Sequence, residues 1–354
     1  MPEARKYIAL WREYPDLFVD FMQTGGRTDV KLTFNLFFYQ RVFLRVSMRY
    51  KYVYAVFPRA YSKSFLAVLV LMIRAILYPG ARLFSTAGGK EQAAQILQEK
   101  VQDICTKIPA FRKEIDWSRG ATREGKDSCK YVFKSGSTIE NLAARENSRG
   151  RRFHAGLIEE CVGVDQEILQ EVIIPTMNVS RRCMSGEVKE EEVLNQSQIY
   201  ITTAGYKNTY SYSKLIQLLV RMVVEPDKAF IMGGTWRIPV LLGLQPKNFV
   251  EDLKRDSTFN EASFGREYES KWTGTVEDAF FDGEAFDHNR QINQPEYEAS
   301  GRIGKNAYYI VSADVGRRGC DTVANIIKVN PQPDRPSIKS LVNIVTISDG
   351  HFED

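Results

Sequence analysis

Apolar and polar positions along this 354-residue chain fall into blocks that read alternately as helices and strands. Over residues 3–23, Ile8, Leu10, Trp11, Leu17, Phe18, Phe21 and Met22 recur at helical spacing; Pro15 divides them into two short helices, and Gly25-Gly26 ends the second. Residues 36–45 open a third helix with aromatic side chains beside Gln40. Residues 52–57 are continuously apolar, as in a strand buried on both faces, and 65–77 are apolar nearly all round, as in a helix packed on a sheet. Short strands are expected at 81–87, 130–133, 138–142, 153–160 and 198–205, helices at about 90–107 and 165–178, and an acidic, mobile loop at 186–195. Strands alternating with helices predict an α/β fold with an open, mostly parallel sheet. After residue 210 the pattern changes to helices at about 211–224 and 246–255, little strand signal, and an aromatic stretch from 259 to 286. Three antiparallel strands at 307–314, 322–329 and 341–347 then predict the opening of a further domain, a pattern still running at Asp354.

Open parallel sheets bind ligands at the carboxyl ends of their strands. Residues 57–64, Glu159-Glu160 and Thr202–Gly205 all fall at such ends, so three segments distant in sequence can converge. A helix N-terminus carrying a lysine and a serine suits polyphosphate and its magnesium ion. The pattern G-x-x-x-x-G-K-[ST] is met at Lys63-Ser64, whereas Phe57 and Ser62 stand at its two glycine positions. Taken alone, this octet reads equally well as a strand-to-helix turn with a solvated lysine; the convergence favours phosphate. Lys63 would then contact the β- and γ-phosphates and Ser64 the magnesium, with Glu159 helping to hold the metal and Glu160 acting on water. Adjacent acids closing a strand also occur simply as solvated helix-start residues. The Gln40 amide can pair with an adenine edge and Tyr39 can stack on the ring, or the segment is an ordinary packing helix. Arg145, Arg149, Arg151 and Arg152 form a basic loop from which an arginine finger could act in cis or on a neighbouring subunit. His154 reads as structural. Asp314, closing what is expected to be a central strand, is a metal ligand or a turn residue; Asp321 would be a second ligand, and two-metal chemistry needs more carboxylates.

Composition narrows little: 44% hydrophobic and 26% charged residues describe a globular protein, and a net charge of +4 permits nucleic-acid binding without arguing for it. Cys105, Cys129, Cys161, Cys183 and Cys320 form no CxxC pair, which favours a reducing compartment over a disulfide framework. The N-terminus has no apolar leader, and the 65–77 run, interrupted by Arg74, is too short to span a bilayer. Cytoplasm and no membrane are the expectations.

Taken in order, these segments resemble the large terminase subunit of tailed bacteriophages, the motor and nuclease that packages DNA. The resemblance covers about residues 30 to 354 and rests on the aromatic-glutamine segment 38–40, the turn Pro58-Arg59-Ala60-Tyr61-Ser62-Lys63-Ser64 with its early arginine, and Arg149-Gly150 before Leu157-Ile158-Glu159-Glu160. It continues through Thr202-Thr203-Ala204-Gly205, Phe264-Gly265-Arg266-Glu267-Tyr268 to Ala279-Phe280-Phe281, and Asp314-Val315-Gly316 followed by Asp321. Ser62 replaces the family's usual glycine and Glu159 its usual aspartate. The resemblance implies a P-loop ATPase core of the ASCE type at 1–210, a lid at 211–300, and the first part of an RNase H-like nuclease at 301–354. Its implied nucleotide contacts are Tyr39, Gln40, Arg59, Ser62, Lys63, Ser64, Glu159 and Thr203, with Glu160 and Arg149 catalytic. It implies ATP with Mg2+ at the motor site, and Mg2+ or Mn2+ at a nuclease site begun by Asp314 and Asp321 but not completed by these residues. Implied partners are double-stranded DNA, portal protein, the small terminase subunit and further copies in a pentameric ring on the procapsid, in the host cytoplasm at the portal vertex. A helicase-like P-loop ATPase and a non-hydrolysing DNA-binding assembly protein stay open as alternatives.

Overall fold

The computed structural model of the chain describes residues 2–183, 186–246, 248–274, 288–290, 292, 294–298, 306–315 and 321–347. Ala279-Phe280-Phe281, Gly316 and Cys320 lie outside the described residues. The chain divides into two compact units, Met1–Glu277 and Asp278–Asp354.

The first unit is built on β1 (Tyr52–Val56), and its burial explains why that run is apolar throughout. Val53 and Ala55 belong to the core on one face of the sheet, Tyr54 and Val56 to the core on the other. A crossover through α4 (Lys63–Leu77) leads to β2 (Arg82–Thr86), and α5 (Lys90–Lys107) follows. β3 (Lys130–Val132), β4 (Thr138–Asn141), β5 (Ala155–Glu159), β6 (Ser197–Thr202) and β7 (Ala229–Gly233) complete a seven-stranded sheet of order β3-β4-β2-β5-β6-β1-β7. β3 alone runs antiparallel to its neighbour, β4. The result is the mixed α/β, mostly parallel sheet expected from the alternating pattern.

Register sets the site. Val56 pairs with Thr202 and with Gly233, while Glu159 pairs with Ile201, so the carboxyl ends of β1, β5, β6 and β7 finish at one edge. Each residue following those ends is therefore delivered to the same place.

α4 is held by burial on nearly all sides; Leu66, Leu69 and Ile73 are fully enclosed, each contributing about 1.5–3 kcal/mol. Arg74 in the same helix is also fully buried, where Nη2 donates to the Ser47 carbonyl and, at 2.8 Å, to Ser197 Oγ. Burial pushes its pKa down to about 10. The guanidinium thereby ties α4 to α3 (Phe38–Arg49) and β6. α1 (Pro2–Glu13) and α2 (Pro15–Thr24) pack beside α3, divided at Pro15 as expected. Asp16 is buried there; desolvation opposes its ionisation, yet the paired Arg45 (2.7 Å on both oxygens) and Arg41 (3.3 Å) hold its pKa below the usual range.

Several expectations differ from the structure. The region after residue 210, read as poor in strands, supplies α8 (Tyr210–Val224) and then β7, which pairs in parallel with β1. Its five residues are too few for a clear periodic signal. The 165–178 helix is a short α-turn at α7 (Gln166–Ile168) that widens to a π-helix at Leu169–Ile173 and tightens to a 3-10 turn at Ile174–Met177. Within the loop at 186–195, Glu192 pairs with buried Arg181, which also donates to the Pro79 carbonyl at 2.7 Å, and Asn195 Oδ1 accepts from the Arg181 amide at 2.9 Å. This loop is anchored by the acid that made it look solvated. His154 is structural in its contacts: Nδ1 accepts from the Arg82 amide at 2.9 Å, and burial pushes its pKa down to about 4.

The second unit contains β8 (Tyr308–Asp314), β9 (Thr322–Asn330) and β10 (Ile338–Ile347), antiparallel in the order β10-β9-β8. Among the described residues β9 lies between β8 and β10, and Asp314 closes β8. Glu296 fastens the sheet from outside it, accepting from Tyr309 Oη at 3.0 Å and pairing with Lys328 at 3.2 Å. No helix among the described residues is long and apolar enough to cross a membrane.

Candidate nucleotide site

The turn from β1 into α4 is closed by backbone geometry that its sequence does not advertise. Phe57 donates its amide to the Thr202 carbonyl at 2.9 Å, then Ala60 (φ 62°) and Ser62 (φ 54°) both adopt left-handed conformations. Ser62 thus does what the glycine of the pattern ordinarily does, at a steric cost of about 1–2 kcal/mol. It is the N-cap of α4 without a side-chain cap, leaving the first amides of the helix without intrahelical partners. Tyr61, 3% exposed, sits against the rings of Tyr39 (4.5 Å between centroids) and Phe57 (4.8 Å). Gly234, just past β7, makes room for it: a Cβ there would lie 2.1 Å from the Tyr61 hydroxyl. Ser62→Gly is expected to raise stability by about 1 kcal/mol and to leave nucleotide binding intact, whereas Ser62→Val, β-branched at positive φ, lowers both. Thermal midpoints and ATP titration of the two variants check this; equal midpoints would show that the turn is unstrained.

The strand ends converge as the register requires. Lys63 Nζ lies 2.8 Å from Glu160 Oε1, and Ser64 Oγ donates to Glu159 Oε1. Glu159 is 2% exposed and its Oε2 has no hydrogen-bond partner among the described residues. Burial raises its pKa; the Ser64 hydroxyl and the charges of Lys63 and Lys100 oppose that rise, while the Glu160 charge adds to it. Glu160 is itself left-handed (φ 46°), and its Oε2 is 3.3 Å from Thr202 Oγ1 and 3.4 Å from the Thr203 amide. Non-glycine residues held at positive φ cluster at functional sites, and here the strain falls on the carboxylate facing the lysine.

A hard cation that keeps several waters and shares phosphate oxygens needs only one or two protein oxygens. The Ser64 hydroxyl and the orphaned, buried Glu159 Oε2 form such a donor set. Among the described residues, no group of three or more His, Cys, Asp and Glu side chains is assembled for a metal. Asp314 and Asp321 are exposed, at the end of β8 and just before β9.

A cavity of about 810 Å³ opens over the turn. Gln40, Arg59, Ser62, Lys63, Ser64, Glu160 and Thr203 all line it, so most of the expected site residues share one space. Tyr39 does not line it; its hydroxyl donates to the Tyr61 carbonyl at 3.3 Å and its ring supports the turn from beneath. Phe34, Phe37, Tyr61 and Phe65 supply the aromatic lining instead. Gln40 Oε1 already accepts the Phe37 amide at 2.9 Å, leaving the amide nitrogen, whose own contact with Tyr39 Oη is a long 3.3 Å. Arg59 pairs across the cavity lining with Glu267 on α11 (Glu261–Glu269), Nε to Oε2 at 2.7 Å. Arg149 is not among the lining residues; it pairs with Glu146 and with Glu171 on the surface. Lys100, Asp103 and Lys107 line the cavity without having been singled out from sequence, as does Glu267, named there only within the 264–268 segment and with no role at the nucleotide. The first three stand at i, i+3 and i+7 of α5, a charged helical stripe that periodicity alone assigns to solvent.

No protein-family model and no curated protein matches this chain. Among solved structures, the large terminase of bacteriophage HK97 aligns over 93% of this chain and 67% of its own, at 13% identity and a TM-score of 0.54. The large-terminase ATPase domain of Thermus phage P74-26 aligns over 68% of this chain and 96% of its own, at 17% identity and a TM-score of 0.47. The large terminase of a thermophilic bacteriophage in complex with ADP aligns over 87% and 68%, at 11% identity and a TM-score of 0.45. At such identity the HK97 likeness is one of fold. This chain has the fold of a phage large terminase.

Proposed function

We propose that this protein is a terminase-type motor that hydrolyses ATP with magnesium and uses the energy to move double-stranded DNA into a procapsid. The observation that carries the reading is the pairing of Lys63 with Glu160 and of Ser64 with the buried Glu159 at the carboxyl edge of the sheet, where Lys63, Ser64 and Glu160 line one cavity and Glu159 lies behind Ser64. The HK97 terminase fold supports it.

The incoming triphosphate competes with Glu160 for Lys63, which exchanges one anionic partner for another. That exchange frees Glu160 to orient the attacking water, and Ser64 with Glu159 would hold magnesium. Magnesium, when bound, neutralises charge developing on the β- and γ-phosphates. Ser62 and the α4 amides cradle phosphate oxygens, and Arg59 swings from Glu267 to join them. Phe37 or Phe34 stacks on the base in the place expected of Tyr39, and the Gln40 amide nitrogen reaches its edge. Thr203, within reach of Glu160, relays the state of the γ-phosphate to the lid at 211–300. Arg149, exposed on its loop, acts on the site of a neighbouring subunit in a pentameric ring. The second unit is the start of an RNase H-like nuclease, with Asp314 and Asp321 as its first Mg2+ or Mn2+ ligands. Portal protein and the small terminase subunit are the assembly partners, at the portal vertex in the host cytoplasm.

Purified protein is expected to hydrolyse ATP only with magnesium, and faster with double-stranded DNA. Absence of both ATP binding and hydrolysis under those conditions overturns the reading.

A further inference from the structure

We propose that Lys100, on α5, binds the terminal phosphate of the nucleotide and supplies, within the same subunit, positive charge for its transfer. This rests on the ATPase reading above. Four cationic side chains line the cavity, namely Arg59, Lys63, Lys100 and Lys107, and so do the carboxylates Asp103, Glu160 and Glu267. Each of these three acids is already paired: Glu267 with Arg59 at 2.7 Å, Glu160 with Lys63 at 2.8 Å, and Asp103 with Lys107 at 2.5 Å. Lys100 is the remaining cation. Among the described residues its ion-pair partner is the preceding Glu99, at 4.0 Å and outside the cavity lining. A cation facing a partly enclosed space without an acid opposite it raises the local potential, and a bound anion relieves this.

The charge shares its space with the phosphate turn, since Ser62, Lys63 and Ser64 line the same cavity as Lys100. Lysine carries its charge as a point on a flexible stem, so Nζ can follow the phosphate without movement of α5. Phosphoryl transfer spreads charge over the γ-oxygens and gains from each cation aimed at them. Since Arg149 does not line the cavity, Lys100 provides charge there before any neighbouring subunit arrives.

The test compares triphosphate with diphosphate. Mg2+-ATPγS and Mg2+-ADP are titrated into wild type and Lys100→Gln by calorimetry, and ATP turnover is measured alongside. Lys100→Gln is expected to weaken ATPγS about tenfold or more, to leave ADP within about twofold, and to slow turnover on the order of 100-fold. Parallel loss of both affinities, or no change in either, overturns the assignment to the terminal phosphate. Failure of the wild type to bind either nucleotide overturns the ATPase reading instead, so the two failures are distinct.

Discussion

Replacing Lys63 with alanine is expected to lower ATP turnover at least about 100-fold and to weaken ATP binding about tenfold or more. Its ammonium belongs to the first residue of α4, 2.8 Å from Glu160, while the other cation of the turn, Arg59, is already paired with Glu267. The loss has two parts. The phosphates lose a charge-assisted contact worth about 1.5–3 kcal/mol, and Glu160 is left facing them as an unneutralised like charge. Lys63→Arg is not expected to restore activity, because a planar fork does not occupy the place of a compact ammonium in a turn this tight. Phosphate release and ATP titration measure both effects, and an unchanged circular-dichroism melt separates them from unfolding. Turnover within about threefold of wild type would remove Lys63 from the chemistry.

Glu160→Gln should separate binding from hydrolysis. A positioned base or water-orienting carboxylate contributes about 10²–10⁴ in rate, so turnover is expected to fall by that order. Binding moves the other way: the variant removes the acid that competes for Lys63, and ATP binds as tightly as before or more tightly. The stored product of such a variant is bound, uncleaved ATP, measurable by filter binding and chromatography of the retained nucleotide. Loss of ATP binding with the rate would instead make Glu160 a structural partner of Lys63. The left-handed backbone at Glu160 predicts that its geometry, beyond its charge, matters to this outcome.

The alternation of strands and helices from 52 to 202 was legible in the amino-acid sequence, because burial of a parallel strand or of a sheet-facing helix is written into local apolar runs. So were the division at Pro15, the long helix at 90–107, and the three closing strands after 306, which reappear as two helices, α5 and β8 to β10. The sequence also identified Lys63, Ser64, Glu159 and Glu160 as residues able to meet, since each follows or closes a strand in a parallel sheet. Tertiary structure decided what depends on packing between segments far apart. That Ser62 fulfils a glycine position is a matter of φ, which its side chain does not reveal. That Tyr39 lies beneath the turn while Phe37 faces the cavity is a matter of which way neighbouring rings point. β7 joined the sheet because β1 offered a free edge, not because five residues carry a period. Glu192 was buried against Arg181 despite an acidic run that reads as solvent-facing. Lys100 and Glu267 became part of the cavity because α5 and α11 pack beside the turn, and a charge on a helix surface acquires a partner only when that surface does.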